Sequence, residues 1–357
     1  MAKGIEYKAA IAIPPGETLK EFLDNEGMSQ IELSKRIGLS EKHISEIING
    51  KSPITHDTAI KLECVLKSPA SFWINLEANY QETKARVKAE QELNDELAIT
   101  RDIPYAEIAK LNWVNATIKA DEKVMNLRSF FKVASLNYVP KVMTAAFRKS
   151  EVGKASNYAL AVWLRRGEIV SEKVITQPYS KPRLKKLIPR FRQLTLENPE
   201  DFFPEMVNLC ASCGIALVLV PHISKTYVCG ATQWKGDKAI IQLSVRGARA
   251  DIFWFTFFHE IAHILLHDKK EFHLHGEDES CKGEEEANLE AGVMLIPANE
   301  YKDFIKDCDY TNKSEIKMFA KDIGIDPCIV VGRLLHEEKI DYRCYSDLRP
   351  SFKIVED

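Results

Sequence analysis

No stretch of this 357-residue sequence approaches 18 apolar residues without a charge, which argues against a membrane-spanning helix. The first residues, Met1-Ala2-Lys3-Gly4-Ile5-Glu6, hold no apolar signal-peptide core, so a cytoplasmic protein is expected. The eight cysteines are scattered. In a reducing compartment they should be free thiols, which sets aside a disulfide-stapled scaffold. Cys210-x-x-Cys213 has no second pair at zinc-ribbon spacing. It falls between the end of a helix (Pro204 to Cys213) and an apolar strand (Ile215 to Val220), so it reads as core packing. Net charge is also small, −3, but it hides local asymmetry. Lys119 to Arg192 holds 17 Lys/Arg against 5 Asp/Glu, and Glu271 to Glu290 holds 8 acids against one Lys. A solvated helical face accounts for most of the basic surplus. Contact with DNA, with an acidic partner or with the acidic stretch itself is the alternative. Length and a 45% apolar content fit two or three globular domains.

The chemistry that is present gathers in Phe253-Trp254-Phe255-Thr256-Phe257-Phe258-His259-Glu260-Ile261-Ala262-His263-Ile264-Leu265-Leu266-His267, a His-Glu-x-x-His in an otherwise apolar run. On a helix, His259 and His263 project from one face. Two imidazoles so placed can hold one zinc ion, with Glu260 beside it to take a proton from water. Ionisable groups inside a buried apolar helix are costly unless something pairs with them, and a metal is the simplest partner. Catalytic zinc sites often draw a third ligand from a carboxylate further along. Glu284-Glu285-Glu286-Ala287-Asn288 offers three. His267, His273 and His275 read as loop residues, His267 adjoining the ligands.

That run, with Glu-x-x-Ala-Asn at 284–288 and Met294-Leu295-Ile296-Pro297, resembles the ImmA/IrrE family of zinc metallopeptidases. The resemblance implies a zincin-like α+β domain with a small sheet, one Zn2+ ion on His259, His263 and Glu284, and Glu260 as general base. In that family the ligand glutamate lies four residues before an Asn or Asp. Glu284 matches, with Asn288 bracing a ligand. Glu285 and Glu286 match less well, being followed at that spacing by Leu289 and Glu290. Leu289-Glu290-Ala291 departs from the family, which commonly shows Phe near the Ala, and reads as a packing change. Gly230 to Trp234 and Ala239 to Ser244 read as two strands joined by a turn. In metallopeptidases of this shape an edge strand binds substrate backbone by strand addition.

Near the N-terminus, Ser29 can cap a helix with apolar residues Ile31, Leu33 and Ile37, which Gly38 ends. Ser40 caps a second, with Ile44, Ile47 and Ile48 facing inward. Two short helices about a Gly-containing turn make a helix-turn-helix pattern. The exposed start of the second helix carries Glu41, Lys42, His43 and Glu46, placed to meet base edges.

This stretch, from Pro15-Gly16-Glu17 through Asn49-Gly50-Lys51 to Ser71-Phe72-Trp73-Ile74-Asn75-Leu76 and Tyr80, resembles the XRE-type regulators, in particular the HigA-like antitoxins. The resemblance implies that Lys42, His43 and Glu46 read bases, while Gln30, Ser40, Asn49 and Lys51 hold phosphates. Glu17 to Lys67 has 7 Lys/Arg against 9 Asp/Glu. Such a domain alone binds DNA weakly, so a dimer or the basic middle must supply the rest.

The expected fold is multidomain: an all-α helix-turn-helix domain over 10–80, a helical, basic connector over 81–200, and an α+β zincin-like metallopeptidase domain over 201–345. Two helices around Gly324 imitate a second helix-turn-helix, but Cys328-Ile329-Val330-Val331 is too apolar to face DNA. The reading is a DNA-binding repressor and antitoxin of a HigBA-like toxin–antitoxin system. Its partners would be operator DNA, a small HigB-like toxin and a second copy in a homodimer, with no membrane. The alternatives are a zinc-dependent endopeptidase cutting a repressor or itself under stress, and a pseudo-peptidase sensor controlling DNA binding. The acidic loop Lys270 to Gly283 would cover the metal site until a signal moves it.

Overall fold

Three side-chain caps set the first helices. In the computed structural model, which describes residues 11–143, 156–245, 249–267, 273–275 and 282–352, Ser29 Oγ accepts from the Glu32 amide at 3.1 Å, Ser40 Oγ from His43 at 3.2 Å and Thr55 Oγ1 from Thr58 at 3.2 Å. They open α2 (Gln30–Ile37), α3 (Glu41–Ile48) and α4 (His56–Leu66), after α1 (Pro15–Glu26) and before the long α5 (Ala70–Ile99). Gly38 takes φ 68°, the left-handed cap that ends α2. Leu19, Leu33, Ile44, Ile47, Leu62 and Trp73 form the core of this unit. A Cβ on Gly16 would lie 2.2 Å from the Ile47 carbonyl, so α1 and α3 meet where glycine leaves room. Of the apolar residues of α2, Leu33 and Ile37 are buried and Ile31 is 50% exposed. It stands two residues from Leu33, and a separation of two turns side chains to opposite faces of a helix.

The chain divides into two units within α5, between Glu96 and Leu97. The second unit opens with α6 (Tyr105–Lys110), α7 (Ala120–Phe131), α8 (Val139–Val142), α9 (Asn157–Ser171), α10 (Lys181–Gln193) and α11 (Pro199–Ser212). Residues 97–200, expected as part of a connector, thus belong to the unit that holds the sheet. Most of their lysines are exposed, as a solvated face requires, while three arginines make internal contacts. Buried Arg165 donates from Nε to the Phe130 carbonyl at 3.1 Å and pairs with Glu168 at 2.6 Å. Arg190 grips Glu205 through two 2.6 Å hydrogen bonds. Arg192 donates to the Ile323 carbonyl at 2.9 Å.

The sheet has strand order β1-β3-β2-β4, with β1 (Ile215–Leu219) parallel to β3 (Lys238–Leu243), and β2 (Gly230–Lys235) antiparallel to β3 and to β4 (His273–His275). Alternation divides its faces. Ile215, Leu217, Ala239, Ile241 and Leu243 enter the main core. On the other face Gln242 Nε2 donates to the Trp163 carbonyl of α9 at 2.7 Å, and Trp163 Nε1 donates to the Val220 carbonyl at 3.3 Å. The remaining helices are α12 (Ala250–Leu266), α13 (Lys282–Leu295), α14 (Ala298–Asp307), α15 (Lys313–Asp322) and α16 (Pro327–His336). Cys328, Ile329, Val330 and Val331 of α16 are buried in the core, as expected for a scaffold helix. Cys210 and Cys213 are free, buried thiols. Burial holds the Cys213 thiol up at about 11. Among the described residues, no helix is long and apolar enough to cross a membrane.

Candidate metal centre and helix-turn-helix face

α12 is apolar around nearly its whole circumference, and Trp254, Phe257, Phe258, Ile261 and Ala262 are buried. Such a helix belongs at the centre of a domain. It carries His259, Glu260 and His263 into that interior, each at most 1% exposed. α13 crosses beside it and brings in Glu284, 8% exposed. His259 Nε2 lies 3.2 Å from Glu284 Oε2 and 2.8 Å from His263 Nε2, and His263 Nε2 lies 3.6 Å from Glu284 Oε1. Donor atoms of all three fall within 4.8 Å of one another. Burial pushes His263 down to about 4, so the ring is neutral at pH 7. Burial alone would raise the Glu284 carboxyl, but hydrogen bonding to His259 and His263 outweighs it and holds the group well below the usual range. A neutral imidazole and an ionised carboxylate, turned together with a second imidazole out of reach of water, fit the donor set of a divalent cation, zinc above all.

Of the three sequential glutamates, Glu284 is the one in the cluster. Glu285 is exposed, and Glu286 stands 3.6 Å from His267. His267 Nδ1 lies 2.9 Å from His263 Nδ1. Asn288 is on the same helix, its Oδ1 buried without a hydrogen-bond partner among the described residues. The structure adds a residue that the sequence reading passed over: Thr232 of β2 donates from Oγ1 to Glu260 Oε2 at 2.6 Å. The only hint was a threonine in an inward-facing strand position. Gly230, two residues earlier, sits where a Cβ would lie 2.6 Å from Glu260 Oε1. Beyond β2 the sheet edge is β4, which pairs with Gly230–Thr232. A strand added to β2 would therefore meet an edge already covered there. His273 and His275 belong to β4, and most of the acidic loop Lys270 to Gly283, expected as a cover, lies outside the described residues.

In the first unit, the start of α3 presents Lys42, 86% exposed at its side chain, with its Nζ 3.8 Å from Glu46 Oε1. His43 Nδ1 lies 4.0 Å from the other Glu46 oxygen. Gln30, Ser40, Asn49 and Lys51 are exposed. Ser40 caps α3, and Asn49 Nδ2 donates to the Ser45 carbonyl at 2.7 Å, so each of these two also has a local task.

Comparison with known proteins bears on both units. A profile described as Helix-turn-helix matches residues 19–73, and virulence-associated protein I of Dichelobacter nodosus is 32% identical over 98 residues, 27% of this chain and 90% of that protein. The chain belongs to the helix-turn-helix family. This helix-turn-helix protein also carries an IrrE N-terminal-like domain, matched over residues 220–325, which contains the whole His259–His263–Glu284 cluster. "Uncharacterized HTH-type transcriptional regulator YddM" of Escherichia coli K12 is 32% identical over 63 residues, 18% of this chain and 67% of that protein. Among solved structures, an addiction module antidote protein of a HigA family from Coxiella burnetii is 31% identical, covering 24% of this chain and 94% of that one, with TM-score 0.22. Pseudomonas aeruginosa antitoxin HigA with higBA promoter is 29% identical, covering 24% and 95%, with TM-score 0.23.

Proposed function

We propose that this helix-turn-helix protein is a DNA-binding repressor of antitoxin type whose IrrE-like domain holds one zinc ion on His259, His263 and Glu284. The observation that carries the zinc reading is the buried cluster itself, two imidazoles and a carboxylate meeting beside Glu260. Zinc in that position would supply Lewis acidity, polarising a peptide carbonyl and acidifying water. The chain's own part is proton handling. Thr232 donates to Glu260 Oε2 and orients the carboxylate; Glu260 would take a proton from water and pass it to the leaving amine. An intact Glu260, fixed by a neighbouring hydroxyl, favours a working zinc-dependent endopeptidase over a relic sensor domain. The substrate in that reading is a repressor, this chain included.

For the first unit, α3 is the recognition helix, Lys42, His43 and Glu46 read bases, and Gln30, Ser40, Asn49 and Lys51 hold phosphates. Exposed side chains at the capped start of α3 support this assignment. A small HigB-like toxin as partner and a homodimer as the binding form follow from the resemblance to HigA-like antitoxins. Dimerisation would double the phosphate contacts of a domain with little positive charge.

The test is the metal content of the purified full chain, with His263→Ala and Glu284→Ala beside it and DNA binding recorded on the same samples. One zinc per chain, lost in both variants, is the expected result. No zinc in the unaltered protein, prepared without chelators, sinks the peptidase reading and leaves a DNA-binding protein with a differently used second domain.

A further inference from the structure

His259, His263 and His267 stand at intervals of four, so they run along one row of α12, and the last of them caps its end. The first two meet through Nε2. His263 Nε2 lies 2.8 Å from His259 Nε2 and 3.6 Å from Glu284 Oε1, so it is the nitrogen that faces the metal cluster. The other nitrogen of His263 faces along the row. Its Nδ1 lies 2.9 Å from Nδ1 of His267, and the two rings are 5.0 Å apart, centre to centre, and tilted by 46°. His267 is not a fourth member of the cluster: among the described residues, the donor atoms that meet there come from His259, His263 and Glu284. On its far side His267 Nε2 lies 3.6 Å from Glu286 Oε2 of α13, within ion-pair reach and beyond a hydrogen bond.

With a cation in the cluster, protons fit this row in one arrangement. A neutral imidazole carries one N–H, and its other nitrogen is an acceptor. An Nε2 that offers its lone pair to a cation leaves the His263 proton on Nδ1. Two N–H groups 2.9 Å apart would set proton against proton, so His263 Nδ1 donates and His267 Nδ1 accepts. The His267 proton then sits on Nε2, the nitrogen that faces the Glu286 carboxylate, whose charge favours it there. Metal-ligating histidines are commonly held through their other ring nitrogen by a carboxylate, a carbonyl or water. Here an imidazole takes that place.

We infer that His267 is a positioning residue for the metal centre, accepting the hydrogen bond of His263 Nδ1 and so fixing the tautomer and plane of that ring. The inference rests on the proposed zinc site and adds to it a residue outside the ligand set. Support of this kind makes the ligand better oriented and more basic.

The test is the zinc affinity of the full chain, by competition with a chromophoric chelator, beside ring-nitrogen NMR of the zinc-loaded protein labelled with 15N-histidine. His267→Phe keeps a ring and removes the acceptor. It should weaken zinc binding about 10–100-fold, with a full complement still bound at saturating zinc. His267→Asn puts an amide oxygen close to the place of Nδ1 and should recover most of that loss, which a packing role would not predict. In the unaltered protein the spectra should place the His263 proton on Nδ1 and the His267 proton on Nε2. This measurement needs no variant, so it decides the matter even if a substitution prevents folding. Parent-like affinity of His267→Phe, a His267→Asn as weak as His267→Phe, or a His267 proton on Nδ1 overturns the inference. Zinc bound equally tightly by the parent and His267→Phe removes the inference alone, whereas a parent that binds no zinc removes the metal site and the inference with it.

Discussion

Thr232 Oγ1 and Glu260 Oε2 are 2.6 Å apart, a strand hydroxyl donating to a helix carboxylate in the interior of the second unit. The same hydroxyl lies 3.3 Å from the Glu260 carbonyl, so the contact ties the strand to the helix backbone as well. Thr232→Val keeps the shape and removes the donor. Urea unfolding should show a loss of about 1–3 kcal/mol, the cost of taking a hydrogen bond from a buried charged acceptor. Thr232→Ser should recover most of it. A valine variant as stable as the parent would mean that the carboxylate gets its support elsewhere.

Gly230→Ala tests the space above the same carboxylate. Its Cβ would stand 2.5 Å from Thr256 Cγ2 and 2.6 Å from Glu260 Oε1, both too close. Overpacking of this kind costs about 1–3 kcal/mol. Because neither clash involves His259, His263 or Glu284, zinc content measured by elemental analysis should stay at the parent value while the melting temperature falls.

Metal retention should separate neighbouring acids. Glu284→Ala is expected to abolish zinc binding, and Glu260→Gln and Glu286→Ala to preserve it, since only Glu284 reaches both His259 and His263. Zinc should also raise the melting temperature of the parent in a concentration-dependent way, because a ligand that binds only the folded state stabilises it by mass action. Zinc retained without Glu284 would put the third ligand elsewhere.

Tyr179 predicts an alkaline limb in stability. Burial holds its phenol up at about 12, and its hydroxyl donates to the Ile264 carbonyl at 3.3 Å while its ring meets Trp234 edge-on at 5.1 Å. The unfolded chain releases this proton near 10 and the folded chain near 12, so between those values the folded state binds more protons. Stability from this group is therefore complete below pH 10 and declines as pH rises toward 12. Tyr179→Phe should flatten that decline in chemical denaturation series. An unchanged alkaline slope would assign it to other groups.

DNA contacts should divide by type. Lys51→Ala is expected to weaken binding to every sequence alike and to reduce the slope of log K against log salt by about one, as a lost phosphate contact does. Lys42→Ala should relax preference at one operator position at a cost of about 1–3 kcal/mol. Electrophoretic or fluorescence titrations over a salt series read both. If Lys42→Ala weakened all sequences equally, it would fall among the phosphate contacts instead.

Local rules sufficed where one residue decides one feature. Ser29, Gly38 and Ser40 mark helix ends by capping chemistry that acts within four residues, and the structure has those ends where the sequence places them. The spacing of His259 and His263 fixes a shared helical face, whatever surrounds it. The continuous apolar run in Ile215–Leu219 likewise announces a strand buried on both faces. The long-range pairings were decided only by tertiary structure. Ser346 to Asp357 carried no signal, yet Arg349 is 4% exposed and paired with Asp251 at the start of α12. The basic surplus of the middle region is mostly solvated, but composition does not reveal that Arg165 reaches the Phe130 carbonyl or that Arg190 meets Glu205. Thr232 and Glu260 are 28 residues apart, and nothing in either segment names the other. Short-range chemistry is written in residue order. Contacts between a strand, a helix and a distant tail depend on how apolar faces pack, and only the folded chain settles that.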